Sequence, residues 1–568
     1  MRLSSRFDPS ETCCFIYDRR EGPALVSRAR LELVWPGKDQ FLLLSKDDSG
    51  KPVWVDRDHP SASEVRLTDF VDSVGEVDDE HPHADNLLFV GDSLDVLRIL
   101  NEVPEFRQQY RGKIKLVYID PPFNTGQAFA HYDDWMEHST WLSFIRERLL
   151  LIRELLAPDG SVWVHLDDVE QHRMRVLMDE IFGAGNFITT VIWQKIHARN
   201  NSAMHFSADH DFILVYGRDA KQWRPNRVAR TAKSDADFWN PDNDPRGPWR
   251  RSDLTASKPY SDGHYEVIGP HGDAFRPRPG RPWAVKQEVF EQLREDKRLW
   301  WGKTGRTFPF RKRFQSELGG LVPNTVWLHE DVGNNREAKL ELAKLFGKDA
   351  FATPKPERLL ERVIHIATEP GDIVLDCFAG SGSTAAVAHK IHRRWITVEV
   401  LESTVDSFTR PRLVKVVTGE DTGGISGTAG WSGGGGFRGV KVGASMYEDT
   451  PYGVVLADWA TNRRFARAVA GQLGFEWQQD AEPFCGVRGR MRLAVLDGAV
   501  GEEEVRQIVG ALEDKQRVTI VAKSVLPGAE VVLAKVSRGS RIRKAPRDLL
   551  TSGARRMRRR TGAGGSAS

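Results

Sequence analysis

Gly371-Asp372-Ile373-Val374-Leu375-Asp376-Cys377-Phe378-Ala379-Gly380-Ser381-Gly382-Ser383-Thr384 is the stretch that decides the fold. Ile373 to Leu375, apolar and without polar alternation, reads as a strand covered on both faces. It ends on Asp376 and runs into a loop whose glycines let backbone approach a ligand closely, then into a helical run from Ala385 to Lys390. A further strand, Trp395 to Val398, ends on Glu399, where an acid accepts from ribose hydroxyls in nucleotide-binding folds. Strand, glycine loop, helix, strand and acid in this order point to a nucleotide-like ligand at the C-terminal edge of an α/β sheet. Neither glycine-rich stretch is a phosphate-binding loop for ATP. Gly380 to Thr384 lacks the lysine, and Gly302-Lys303-Thr304 has Lys297 where the motif needs glycine.

Further toward the N-terminus, the strand-like run Leu116-Val117-Tyr118-Ile119 ends on Asp120-Pro121-Pro122-Phe123-Asn124-Thr125. Two prolines exclude helix and fix the turn, so Asp120 and the Pro121 carbonyl project from the strand's C-terminal end. They offer two acceptors and no donor, which suits an exocyclic amine of adenine or cytosine. Two hydrogen bonds taken from that nitrogen would aim its lone pair at an electrophile, and Phe123 adds a ring face on which a base can stack. Alone, such a turn is equally well explained as a rigid corner.

Taken together, these motifs resemble the amino-methylating DNA methyltransferases of the circularly permuted β group, and within it the modification subunits of type III restriction systems. The resemblance is carried by Gly91 to Leu97, Tyr118 to Gly126, Asp167-Asp168, Met178 to Gly183, Thr353 to Pro356 and Val374 to Thr384, and spans roughly residues 86–447. It implies a doubly wound, mostly parallel, Rossmann-like sheet that is circularly permuted, with S-adenosyl-L-methionine as cofactor and duplex DNA as substrate. Catalysis then falls to Asp120, Pro121, Pro122 and Phe123. Cofactor binding falls to Asp92, Lys355, Asp376, Phe378, Gly380, Ser381, Gly382, Ser383, Thr384 and Glu399. Asp92 has a second reading as a helix N-cap. The family's motif usually ends in tyrosine, and Phe123 keeps the stacking face without the hydroxyl. Adenine N6 is the expected target because the motif begins with Asp. Cytosine N4 is the alternative, as is a non-catalytic DNA-binding module that retains the fold; an RNA methyltransferase fits the large insertion less well. A homodimer and a separate helicase–nuclease subunit are the implied partners.

The chain has 568 residues, enough for two or three domains, and 40% hydrophobic residues, enough for their cores. With 81 basic and 79 acidic residues the net charge is only +2, so a nucleic-acid surface must be local. Cys13, Cys14, Cys377 and Cys485 form no C-x-x-C pair and no H-E-x-x-H occurs, so no metal site or disulfide framework is expected. No apolar run reaches about 18 residues and no signal pattern appears, which reads as a cytoplasmic protein without membrane association.

Regions follow from pattern shifts. Residues 1–85 read as a β-rich N-terminal extension, 86–193 as the catalytic half, and 331–447 as the cofactor half closing with a hairpin at Phe437 to Val442. Between them, 194–330 breaks the strand–helix rhythm and is rich in Trp, Arg, Pro and Gly, which reads as an inserted target-recognition region. Arg246, Arg250, Arg251 and Arg281, with Asn124, are its candidate DNA contacts, while most of the insertion's aromatics are expected to build its own core. Residues 448–545 read as a small α/β module and 546–568 as a basic disordered tail.

Overall fold

The computed structural model describes residues 31–43, 53–125, 128–129, 132–133, 136–347, 351–450, 452–479 and 481–550. Ten strands form the central sheet: β1 (Thr68–Gly75), β2 (Leu87–Val90), β3 (Ile114–Ile119), β4 (Leu156–Leu166), β5 (Phe187–Gln194), β6 (His210–Gly217), β7 (Val326–Trp327), β8 (Ile373–Asp376), β9 (Arg394–Glu399) and β10 (Gly436–Val442). Their order across the sheet is β7-β5-β6-β4-β3-β8-β9-β2-β10-β1. From β4 to β10 every neighbouring pair is parallel, while β6 and β1 run antiparallel to their neighbours.

Strand β3 shows why the sheet lies inside. Leu116 and Tyr118 join one apolar cluster with helices Glu357–Ala367 and Ser383–Lys390, while Val117 and Ile119 join another with helices Ser93–Glu102 and His138–Leu155. Successive side chains leave a strand on opposite faces, so an unbroken apolar run requires cover on both. The result is a doubly wound α/β/α sandwich. From β3 the chain winds outward to β4, and from β8 it winds the other way to β9. The adjacent pair β3 and β8 is therefore the topological switch point, where such sheets open a crevice beyond their strand ends.

Several expectations are corrected. β1 lies inside the expected N-terminal extension yet forms the sheet's edge by pairing with β10, Gly436 opposite Gly75 and Val442 opposite Thr68. The segment Phe437 to Val442 is therefore an interior strand between β1 and β2, not half of a local hairpin. Its backbone groups find long-range partners that no local pattern encodes. The expected insertion also begins too early, because β6 (His210–Gly217) pairs with both β4 and β5. The inserted part proper lies between β6 and β7. It contains a three-stranded antiparallel sheet (Trp249–Ser252, Phe310–Phe314, Leu299–Trp300) and its own core of Leu254, Trp283, Phe290, Leu293 and Trp301. Trp249, Trp283 and Trp301 are buried, so these indoles build the insertion. The helix read over Met174 to Phe182 stops at Met178 and continues as a π turn, Asp179–Gly183.

The C-terminal module is a five-stranded sheet with helices Asn462–Leu473, Glu502–Gly510 and Ala529–Val536, and its core extends to the buried Leu549. Gln472 ties it to the main body by accepting from Val65 N at 2.7 Å. The rest of the expected basic tail, from residue 551, lies outside the described residues. No described helix is long and apolar enough to cross a membrane.

Candidate active site

Two cavities open at the switch point. One, about 330 Å³, lies beyond β8 and β9 and carries Asp92, Phe144, Arg148, Asp376, Phe378 and Glu399 on walls that are mostly apolar. The other, about 410 Å³ and more polar, carries Pro121, Phe123, Asp167, Lys195, Asp211 and Lys339. Asp120 and the segment Thr353-Pro354-Lys355 line both. Lys355 Nζ donates to Asp120 Oδ2 at 2.5 Å, whereas Asp120 Oδ1 is buried and has no hydrogen-bond partner among the described residues. Such an acceptor costs about 1–3 kcal/mol unless a donor reaches it.

The turn after Asp120 is held from three sides. The fully buried Trp141 donates its indole N–H to the Pro122 carbonyl at 2.8 Å. Asn124 adopts φ +62°, a left-handed conformation that asparagine tolerates better than most residues. Its side chain accepts from Met136 N at 2.6 Å and donates to Glu170 Oε1 at 2.7 Å. Asn124 is thus buried and used inside the protein, which corrects its reading as a DNA contact. Phe123 faces the polar cavity, lies 30° from parallel to His165 at 5.8 Å, and has Lys355 Nζ 5.2 Å from its centroid.

Beneath it runs a hydrogen-bonded chain that sequence reading missed. Tyr118 Oη meets His165 Nδ1 at 2.8 Å, His165 Nε2 meets Asp211 Oδ2 at 3.2 Å, and Lys195 Nζ donates to Asp211 Oδ1 at 2.6 Å. Burial pushes the Asp211 carboxyl up, but its hydrogen bonds and charge interactions with His165 and Lys195 outweigh that and hold it down at about 2. Burial pushes the Tyr118 phenol well above its usual range. A histidine in an otherwise apolar strand was the one available signal; its partners lie 46 and 47 residues away in sequence.

On the cofactor side, Gly380 (φ +49°) and Gly382 (φ +75°) take conformations that L side chains rarely adopt, and a Cβ at Gly382 would stand 3.0 Å from Thr409 Cγ2. Glu399 braces the loop, accepting from Gly380 N at 2.9 Å and Leu401 N at 3.0 Å. Ser381 and Ser383 share a 3.1 Å hydrogen bond, and Arg412 Nη1 donates to Ser383 Oγ at 2.6 Å. Arg412 also pairs with Glu357 at 2.8 Å, and Lys390 pairs with Glu357 and Asp421, both at 2.8 Å. This buried network ties the loop to the helix that begins just after Lys355. Asp376 accepts from Phe378 N at 2.9 Å, and burial, with the charges of Asp120 and Glu399 adding, raises its carboxyl to about 7 against the hydrogen bonds of Thr384 and Phe378. Asp92 caps helix Ser93–Glu102 by accepting from Leu94 N at 2.6 Å, and Arg148 reaches the same oxygen at 2.8 Å.

The structure therefore brings Asp92, Asp120 to Phe123, Lys355, Asp376, Phe378 to Ser381, Ser383, Thr384 and Glu399 to one crevice; Gly382 belongs to the same loop. The inserted arginines lie elsewhere. Arg250 and Arg251 are exposed on strand Trp249–Ser252, Arg281 faces Asp253 at 3.4 Å, and Arg246 is taken up by Asp244 and Asp296 while lying over Phe314. Among the described residues no cluster of three or more His, Cys, Asp or Glu is placed to hold a metal ion.

Acid-tipped parallel strands meeting at a switch point, with a glycine loop on one and an Asp-Pro-Pro turn on the other, define a class of doubly wound α/β folds that open a ligand crevice beyond their strand ends. The chain belongs to the N6_N4_Mtase family of DNA methylases, whose model matches residues 114–410. It is similar to the type III restriction-modification enzyme StyLTI Mod subunit of Salmonella typhimurium, 33% identical over 340 residues, covering 54% of this chain and 50% of that one. It is also similar to the EcoPI Mod subunit of Escherichia phage P1, 28% identical over 375 residues, covering 55% and 56%. The chain thus spans about half the length of these curated relatives. Among solved structures, the PvuII DNA methyltransferase (cytosine-N4-specific) aligns with 16% identity and a TM-score of 0.33, covering 61% of this chain and 90% of that one.

Proposed function

We propose that this chain transfers the methyl group of S-adenosyl-L-methionine to the N6 amine of adenine in duplex DNA, in the cytoplasm, as the modification component of a restriction-modification system. The observation that carries this reading is the buried Asp120 Oδ1, which has no hydrogen-bond partner among the described residues and lies between two cavities. The mostly apolar cavity fits the cofactor: Asp92, Asp376 and Glu399 supply acceptors for its hydroxyls and cationic amino group, and Phe378 and Phe144 supply ring faces. When bound, the cofactor supplies an activated methyl on a sulfonium.

The chain's own residues do the rest. Asp120 Oδ1 and the Pro121 carbonyl accept from the target amine, Lys355 holds the other carboxylate oxygen in place, and Phe123 stacks the base. Of these two acceptors only the Asp120 carboxylate can take up the proton that the methylated nitrogen must lose. A stacked base cannot present its amine to both acceptors, so the base must leave the helix. Strand order supports the permuted arrangement, since the catalytic β3 precedes the cofactor strand β8 in sequence and lies beside it in space. Arg250 and Arg251, exposed on their strand, are the DNA contacts this reading takes from the inserted region. Pairing with a helicase–nuclease subunit and homodimerisation follow from the Mod-like reading, and light scattering showing a strict monomer at micromolar concentration would count against the dimer.

The test incubates the full chain with mixed-sequence duplex DNA and methyl-labelled S-adenosyl-L-methionine, then identifies the labelled nucleoside. N6-methyladenine is the expected product. N4-methylcytosine would keep the chemistry and change the base, and absence of label from DNA despite cofactor binding would refute the reading. Asp120→Ala should cut transfer by at least about 10²-fold while duplex and cofactor still bind.

A further inference from the structure

Resting on that base-extruding reading, we propose that the loop joining β5 to β6 enters the duplex beside the target base, with Phe206 and Met204 filling the gap the base leaves. The loop is rooted at the rim of the polar cavity: Lys195, just after β5, and Asp211, within β6, both line it, and Lys195 N and Ile196 N close the loop's base on the Asp209 carbonyl at 2.9 and 3.2 Å. The loop is built rather than trailing. Asn200 N donates to Ser207 Oγ at 2.9 Å, Asn200 Oδ1 accepts from Ser202 N at 3.0 Å, and Ala203 N donates to the Asn200 carbonyl at 3.2 Å.

This ordered tip presents Met204 and Phe206 at 90% and 93% exposure. A single exposed apolar side chain needs no explanation, but two alternating ones on a hydrogen-bonded loop at a cavity's rim do. The exposed Arg199 and His205 beside them suit flanking phosphates. Phe206 lies five positions before Asp211, so the chain between them can span up to about 17 Å at roughly 3.4 Å per residue, against the roughly 12 Å width of a major groove. Narrow apolar wedges interleaved with cations are what duplex-deforming proteins insert between base steps. A protein partner would instead call for a broader apolar patch.

The experiment maps N6-methyladenine in plasmid DNA treated with the full chain and rebuilds one methylated site as two oligonucleotide duplexes. In one the target adenine is paired; in the other it faces an abasic position and is already unpaired. Phe206→Ala, and the double variant Met204→Ala/Phe206→Ala, are expected to lower kcat/KM at least about tenfold on the paired duplex and to change it less than about threefold on the unpaired one, with Phe206→Trp near wild type. Wild-type rates on the paired duplex, or equal loss on both, would overturn the wedge, as would a change in oligomeric mass of the double variant, which would assign the pair to a protein contact. A wild-type chain inactive on both duplexes refutes the methyl-transfer reading itself, so the two failures are distinguishable.

Discussion

Asp120 shows how much a single residue's position can and cannot be inferred from sequence. Its place at the end of an apolar strand before two prolines was legible, because proline restricts both itself and its predecessor. Its ion pair with Lys355 was not, since the partner stands 235 positions away. Lys355→Met should lower the single-turnover rate about tenfold with duplex affinity retained, because the carboxylate then loses its fixed orientation. Trp141→Phe keeps the buried ring but removes the donor to the Pro122 carbonyl; a stability loss of about 1–2 kcal/mol in urea unfolding is expected, with a fall in rate. Asp376 gives a pH signature. Its folded value of about 7 lies above its ordinary 3.8, so its contribution to stability without cofactor is fully present below about pH 3.8 and is lost as pH rises through about 7. The ionised form is the one that suits a cationic amino group, so cofactor affinity should fall up to about tenfold from pH 8 to pH 6, and Asp376→Asn should flatten that profile in calorimetry.

Among the elements, the glycine loop was the clearest to read, since strand, loop and acid are contiguous. What anchors it was invisible. The buried Glu357, Lys390, Arg412 and Asp421 come from three separate segments, and charged residues in a sequence ordinarily read as solvated surface. Arg412→Met leaves Glu357 short of a cation in a buried site, so a loss of about 3–5 kcal/mol is expected, read as a lower Tm together with weaker cofactor binding through the freed Ser383. The errors share one cause. β10 and β6 were misassigned because their partners are chosen by the sheet, whereas length and apolar pattern report only that a strand exists. Asn124 was misread for a similar reason: a polar residue in a catalytic turn looks outward in sequence, but its left-handed backbone and two internal hydrogen bonds commit it to holding the turn.

At the scale of the whole molecule, the parallel sheet is assembled from both sides of a long insertion, with Val117 registered against Leu375 and β1 against β10. This has a consequence for synthesis. As the nascent chain leaves the ribosome, β3 can pair with β4 early, but its other edge waits for more than two hundred further residues before β8 emerges. In that interval an apolar strand offers unsatisfied backbone groups to any neighbouring polypeptide. Ribosome-stalled fragments ending between the inserted region and β8 should therefore bind a holdase chaperone and aggregate once released, whereas fragments extending past β10 should not.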